Sequence, residues 1–182
     1  MVTSKRSSHF SEKNLGLSKK IVEIVTILTD PLIGETCYQV RFSYGDELRL
    51  NFGELSPYEH PKLKHLEKGS WQFGTRATPW LLKKDHQTLL NSQNPETEEE
   101  LKDAKELTIN SLENQKILKL DLNSESLELQ LSFTENYQLL LQPDLNDDDL
   151  SLADWELFMP TQQILEVGPG YFWSCKSIHE RY

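Results

Sequence analysis

Cysteine is scarce in this chain of 182 residues: there are two, Cys37 and Cys175, and no Cys-x-x-Cys pair. That excludes a dense disulfide framework and a cysteine-built zinc site, and it predicts two reduced, buried thiols. Long apolar runs are also missing. The most apolar stretch, residues 21–28 (IVEIVTIL), is broken by Glu23 and Thr26, too short and too polar to span a bilayer. Residues 1–20 carry Lys5, Arg6, Lys13, Lys19 and Lys20 without an apolar core, so no secretory signal is expected and the reading is cytoplasmic. Positive charge is the third deficit. Nineteen Lys and Arg stand against 29 Asp and Glu, a formal net charge of −10. Nucleic acid and anionic membrane are therefore disfavoured as partners, because phosphate contacts need a Lys/Arg surface. A basic protein partner is compatible with this balance.

Catalytic signatures are absent as well. Gly168-Pro169-Gly170 lacks the spacing and the following Lys-Ser/Thr of a phosphate loop, and reads as a turn. No Gly-x-Ser-x-Gly elbow and no His-Glu-x-x-His motif occurs. Asp144, Asn146 and Asp148 have the first spacings of a calcium loop. Position 6 is Asp149 rather than Gly, though, and position 12 is Trp155 rather than Glu, which removes the EF-hand reading. His60 and His65 lie in a Pro-bearing stretch, and His179 follows Cys175 by four residues, too few ligands for zinc. A thiol at Cys175, in an alternating strand beside Trp173, is expected to be buried and inert. No catalytic residue, metal site or cofactor is predicted.

What the chain does have is β patterning and aromatics. Residues 36–43 (TCYQVRFS) and 47–52 (ELRLNF) alternate around Tyr44-Gly45-Asp46, a hairpin signal. Residues 70–75 (SWQFGT) and 78–83 (TPWLLK) read as strands, as do 116–122, 126–133, 137–142, 155–159, 163–167 and 171–175. The β-branched content of 21–28 predicts another strand there. Residues 53–69 are expected to be an irregular excursion. Pro95 followed by four acidic residues among 96–100 predicts a linker helix over 97–107.

The same order of elements occurs twice. Residues 17–27 align with 112–122, 38–52 with 127–141, and 71–84 with 155–176, which matches Trp71 to Trp155 and Trp80 to Trp173. The expected fold is mainly β, with two pseudo-repeated antiparallel units joined by a linker helix and packed as one domain. The expected boundaries are a tail at 1–13, a first unit at 14–90, a linker at 91–110, a second unit at 111–176 and a tail at 177–182.

In the second unit the order is a turn at 134–136, Leu139–Leu141, an acidic loop at 144–149, Trp155-Glu156-Leu157, Gly168-Pro169-Gly170 and Trp173. This run resembles small acidic bacterial families of unknown function, some of which are immunity proteins encoded beside toxins. The resemblance implies a non-enzymatic protein-interaction module, immunity-like or inhibitor-like, and transfers no functional residue. Loops on a rigid scaffold carry recognition. The acidic loop therefore supplies the candidate contacts Asp147, Asp148, Asp149 and Asp154 for a basic partner. A small-molecule or enzymatic pocket between the two halves is the alternative.

Overall fold

The computed structural model describes residues 12–43, 47–76, 78–145 and 152–180. Helix α1 (Glu12–Thr29) opens the fold. Strands β1 (Cys37–Phe42), β2 (Leu48–Pro57), β3 (Glu67–Gly74), β4 (Trp80–Lys84) and β5 (Gln87–Asn91) follow. Helix α2 (Glu98–Leu112) then leads into β6 (Ile117–Leu122), β7 (Leu129–Phe133) and β8 (Tyr137–Leu141). Strands β9 (Trp155–Phe158), β10 (Gln163–Val167) and β11 (Trp173–Ser177) close the chain. The molecule is mainly β, with two antiparallel sheets. One is six-stranded in the order β1-β2-β3-β9-β10-β11, and the other five-stranded in the order β5-β4-β8-β7-β6.

Residues 21–28 are helical, not a strand. Ile21 and Val25 are buried, Leu28 packs against the core, and Leu32 in the 3-10 turn after the helix is fully enclosed. These positions follow a spacing of three to four, so burying one helical stripe outweighs the weak strand preference of β-branched side chains. Ile27, which that stripe leaves outside, is 65% exposed. Two further expectations change. The two ends of the excursion expected at 53–69, residues 53–57 and 67–69, belong to β2 and β3, which pair with one another, while the middle stays irregular apart from a 3-10 turn at Pro61–Leu63. Strand β5 is a strand where none was expected. Helix α2 begins as its chemistry predicts. Thr97 is the N-cap and forms a capping box with Glu100.

The repeat is present, but one strand out of register from the alignment read in sequence. In β1–β2 the cross-strand partners are Cys37–Phe52, Gln39–Asn51, Val40–Leu50, Arg41–Arg49 and Phe42–Leu48, with a bulge after Cys37. In β6–β7 they are Ile117–Phe133, Lys119–Ser132, Leu120–Leu131, Asp121–Gln130 and Leu122–Leu129, with a bulge after Ile117. The two sets correspond residue by residue, bulge included. Trp80 therefore corresponds to Trp155, not to Trp173. Each begins the strand that crosses to the third strand of the other half: Leu82 pairs with Leu139, and Leu157 with Phe73.

A pseudo-twofold axis passes between Thr36 and Lys116, corresponding residues that form an antiparallel bridge with each other. The flanking hydrogen bonds come in equivalent pairs. Gly34 N–H donates to Ile117 O at 2.8 Å, and Asn114 N–H to Cys37 O at 2.7 Å. Ile117 N–H donates to Glu35 O at 3.0 Å, and Cys37 N–H to Gln115 O at 2.8 Å. Gly34 and Asn114 both have positive φ, 94° and 66°, a turn conformation that glycine and asparagine tolerate best.

Each half therefore gives three strands to one sheet and the rest to the other. The stretches 14–90 and 111–176 both divide between the sheets, and one continuous apolar core runs through them. Leu50, Phe52, Phe73, Leu131, Phe133 and Trp155 fill the space between the halves. Helices cover corresponding sheet edges, α1 against β6 and α2 against β1. At the β1 edge the Val40 N–H donates to the Glu113 carboxylate at 3.0 Å, so that free edge donor is capped.

Candidate functional site

Of the acidic contacts expected from sequence, Asp147, Asp148 and Asp149 lie outside the described residues. Asp154 immediately precedes β9 and is 9% exposed. Its N–H donates to Val167 O at 2.8 Å, and its carbonyl accepts from the Thr78 hydroxyl at 2.6 Å, tying the β3–β4 connection to the β9–β10 hairpin. A Cβ at Gly168 would overlap its carboxylate, so this aspartate is packed into a junction. The two cysteines are free, on strands β1 and β11 at opposite edges of one sheet. Burial pushes the Cys37 thiol up to about 12, a neighbouring Glu113 charge adding to the effect, and burial also raises Cys175. His60 Nδ1 accepts from Lys62 N–H, and His179 approaches Gln162. Among the described residues no three His, Cys, Asp or Glu side chains converge on a metal position.

Polar chemistry concentrates on the outer face of the six-stranded sheet. Strand alternation turns Trp155 and Leu157 inward and so brings Glu156 outward, yet Glu156 is only 1% exposed. Arg49 Nη2 lies 3.4 Å from one of its carboxylate oxygens, and Arg76 Nη1 lies 3.8 Å from the other. Arg49 also binds Glu47 at 3.0 Å. Gly74, cross-strand from Glu156, makes room. A Cβ there would stand 3.0 Å from Glu47 Oε1 and 3.4 Å from Glu156 Cγ. Asn51, also buried, accepts from Gly69 N–H at 3.0 Å where the β2–β3 ladder bulges, and donates to Gln39 at 3.3 Å.

The second copy of the fold provides an internal control. Glu156 and Gly74 correspond to Leu81 and Leu140, paired with each other in the other sheet, and Arg49 corresponds to Gln130. The inner positions of both copies stay apolar, whereas the outer positions diverge into an ion cluster on one sheet and a leucine pair on the other. The cluster is thus not required to build this architecture.

Two adjoining hollows flank the cluster, about 320 Å³ and about 490 Å³, and share Arg49, Tyr58 and Gln72. Tyr58 O–H donates to Gln72 Oε1 at 3.2 Å, and the Lys68 ammonium stands 5.4 Å from the centre of the Tyr58 ring. Sequence reading missed this face. Its available signal was the glutamate at the centre of Trp155-Glu156-Leu157-Phe158, a strand otherwise apolar.

A second surface feature lies between β5 and α2. A hollow of about 390 Å³ is floored by Leu90, Pro95, Ala104 and Leu107 and rimmed by Glu100 and Asp103. Leu107 in its lining is 39% exposed, and Leu89, the neighbour of Leu90 in β5, is 41% exposed. Strand β5 ends the five-stranded sheet, and among the described residues it pairs with β4 alone. Glu100 is held below the usual carboxylate range by the backbone N–H groups of Glu96 and Thr97.

No protein family, curated protein or solved structure matches the chain.

Proposed function

We propose that this protein is a non-enzymatic interaction module that receives a basic segment of a partner protein at the β5–α2 slot. The observation carrying this reading is the combination, at one place, of an open strand edge, an apolar floor and an acidic rim. An open edge offers unpaired backbone donors and acceptors to an added strand, while a pocket beside it selects an alternate side chain. The carboxylates of Glu100 and Asp103, with the neighbouring Glu99 and Glu106 on α2, favour Lys or Arg at the segment's flanks. The formal charge of −10 assists the encounter over longer range. An inhibitor-like or immunity-like role, in which the module occupies the working surface of a basic protein, is the concrete form of the proposal.

Affinity purification from the native host tests it, using wild-type protein beside a Leu89→Asp/Leu107→Asp variant. Both leucines are partly exposed, so the variant is expected to fold. The expected result is a basic protein held in stoichiometric amount by the wild type and lost from the variant, with slowed amide exchange in β5 of the complex. A partner retained equally by both proteins, or protection confined to another element, would overturn the slot as its site.

A further inference from the structure

The geometry points to a second binding surface: the groove on the outer face of the six-stranded sheet takes an extended, acidic peptide segment of a protein ligand. The first argument is charge. In a chain of net charge −10, the charged residues among the described lining of the two joined hollows are Arg41, Arg49 and Lys68, all cationic. Glu47 at 3.0 Å and Glu156 at 3.4 Å fix the Arg49 guanidinium in place. Holding a cationic head between two carboxylates costs it rotamer freedom in advance, so less is lost when an anion arrives.

The second argument is shape. Arg49 and Ser56 line opposite ends of the groove along β2, and Ser56 pairs with Lys68 on β3. Six steps of β3, from Lys68 to Gly74 opposite Arg49, separate these two positions in the ladder, about 20 Å of strand backbone at about 3.3 Å each. That span exceeds most small metabolites and matches about six residues of extended peptide. Between the ends the lining changes to Tyr58, Phe158 and Ile178, with Gln72 and Gln162 as hydrogen-bonding groups. The favoured occupant therefore carries acidic side chains near both ends and an apolar or aromatic residue between them.

The third argument is the divergence of the copies. Arg41 corresponds to Asp121 and Arg49 to Gln130, so the cationic lining belongs to one sheet alone while the cores remain equivalent. A purely structural requirement would act on both copies.

This surface is independent of the β5–α2 slot, and its test addresses it alone. Random hexapeptides displayed on phage are selected against immobilised full-length protein, and the enriched peptides are measured by fluorescence anisotropy. The expected outcome is enrichment of Asp and Glu flanking an apolar residue. Affinity should fall at least tenfold for the Arg41→Gln/Lys68→Gln variant and stay unchanged for Lys83→Gln on the other sheet. Neither Arg41 nor Lys68 is buried, and melting temperatures equal to wild type would establish that the double variant is folded. The proposal is overturned by failure to enrich, by enrichment of neutral or basic peptides, or by acidic peptides that bind the double variant as well as wild type. Sedimentation that shows a wild-type dimer lost in the double variant would overturn it too, since a second copy would then be the occupant.

Discussion

The rings of Phe52 and Phe133 stack across the pseudo-twofold axis, with centroids 6.3 Å apart and planes within 9° of parallel. They are the same residue of the repeat, each opposite the residue that precedes a bulge. Two halves that must cover each other's apolar faces meet at this pair, so it belongs to both copies at once. Phe52→Leu and Phe133→Leu are each expected to cost about 1–2 kcal/mol, by similar amounts because their surroundings are equivalent. The double variant should fall short of the sum by about 1 kcal/mol, as residues in direct contact do. Urea unfolding of the four proteins in a double-mutant cycle measures this. Strictly additive losses would show that the two copies do not share this contact energetically.

The two sides of the buried ion cluster should respond unequally. Arg49→Met removes the guanidinium that lies 3.4 Å from the enclosed Glu156 carboxylate, and about 2–3 kcal/mol of stability should be lost. Glu156→Leu installs what the other copy has at Leu81, and releases Arg49 and Arg76, which are 33% and 22% exposed and can turn to water. That variant should lie within about 1 kcal/mol of wild type, since replacing a buried ionic group by a well-packed apolar one is often neutral. Chemical unfolding of both variants decides the point. A larger loss for Glu156→Leu would make the cluster a stabilising device instead of a functional one.

These contrasts mark where the sequence was readable. Period-two alternation identified most strands, because a strand with one face on a core must alternate, and Leu48, Leu50 and Phe52 do so. The helix at residues 21–28 was hidden because Ile and Val satisfy strand preference locally, while Ile21, Val25 and Leu32 reveal their helical stripe only once β6 is there to cover it. The duplication was legible as an order of elements. Its register was not, since hairpins of one chemistry align equally well when shifted by one strand. Only the paired bulges after Cys37 and Ile117 fix it. Arg49, Arg76 and Glu156 were invisible as a group, because their meeting depends on β9 crossing to β3, a pairing between the two halves.

The β2–β3 bulge rests on a glycine. A Cβ on Gly69 would stand 2.6 Å from Phe52 O, 2.7 Å from Phe52 N and 2.8 Å from Trp71 O, all backbone atoms that no rotamer change can move. Gly69→Ala should therefore cost about 2–3 kcal/mol and disturb the Asn51–Gly69 hydrogen bond at 3.0 Å. The expected sign in thermal unfolding is a lowered melting temperature, accompanied by faster amide exchange at the β2–β3 ladder. An alanine variant as stable as wild type would mean that the ladder slides freely at the bulge.

Alkaline pH offers the sharpest test of the core at Cys37. Burial pushes its thiol up to about 12 in the folded protein against an ordinary value of 9.0, because the charged form is excluded from the interior. Between those two values the native state binds the proton that the unfolded chain has lost, so stability must fall as pH rises through this window. The contribution is fully present below pH 9.0 and could reach on the order of 4 kcal/mol across the window, from about 1.4 kcal/mol per unit. Cys175 and Tyr171, raised by burial, and Lys84, raised by the Tyr137 hydroxyl, act in the same direction, so wild-type protein alone cannot assign the loss. Cys37→Ala isolates it. The variant should be less stable than wild type at pH 7, by about 1 kcal/mol for the small cavity, yet lose stability more slowly from pH 9 to 11. Urea unfolding at half-unit intervals of pH would show the two curves converging. Parallel curves would mean that Cys37 ionises as readily in the folded chain as in the unfolded one.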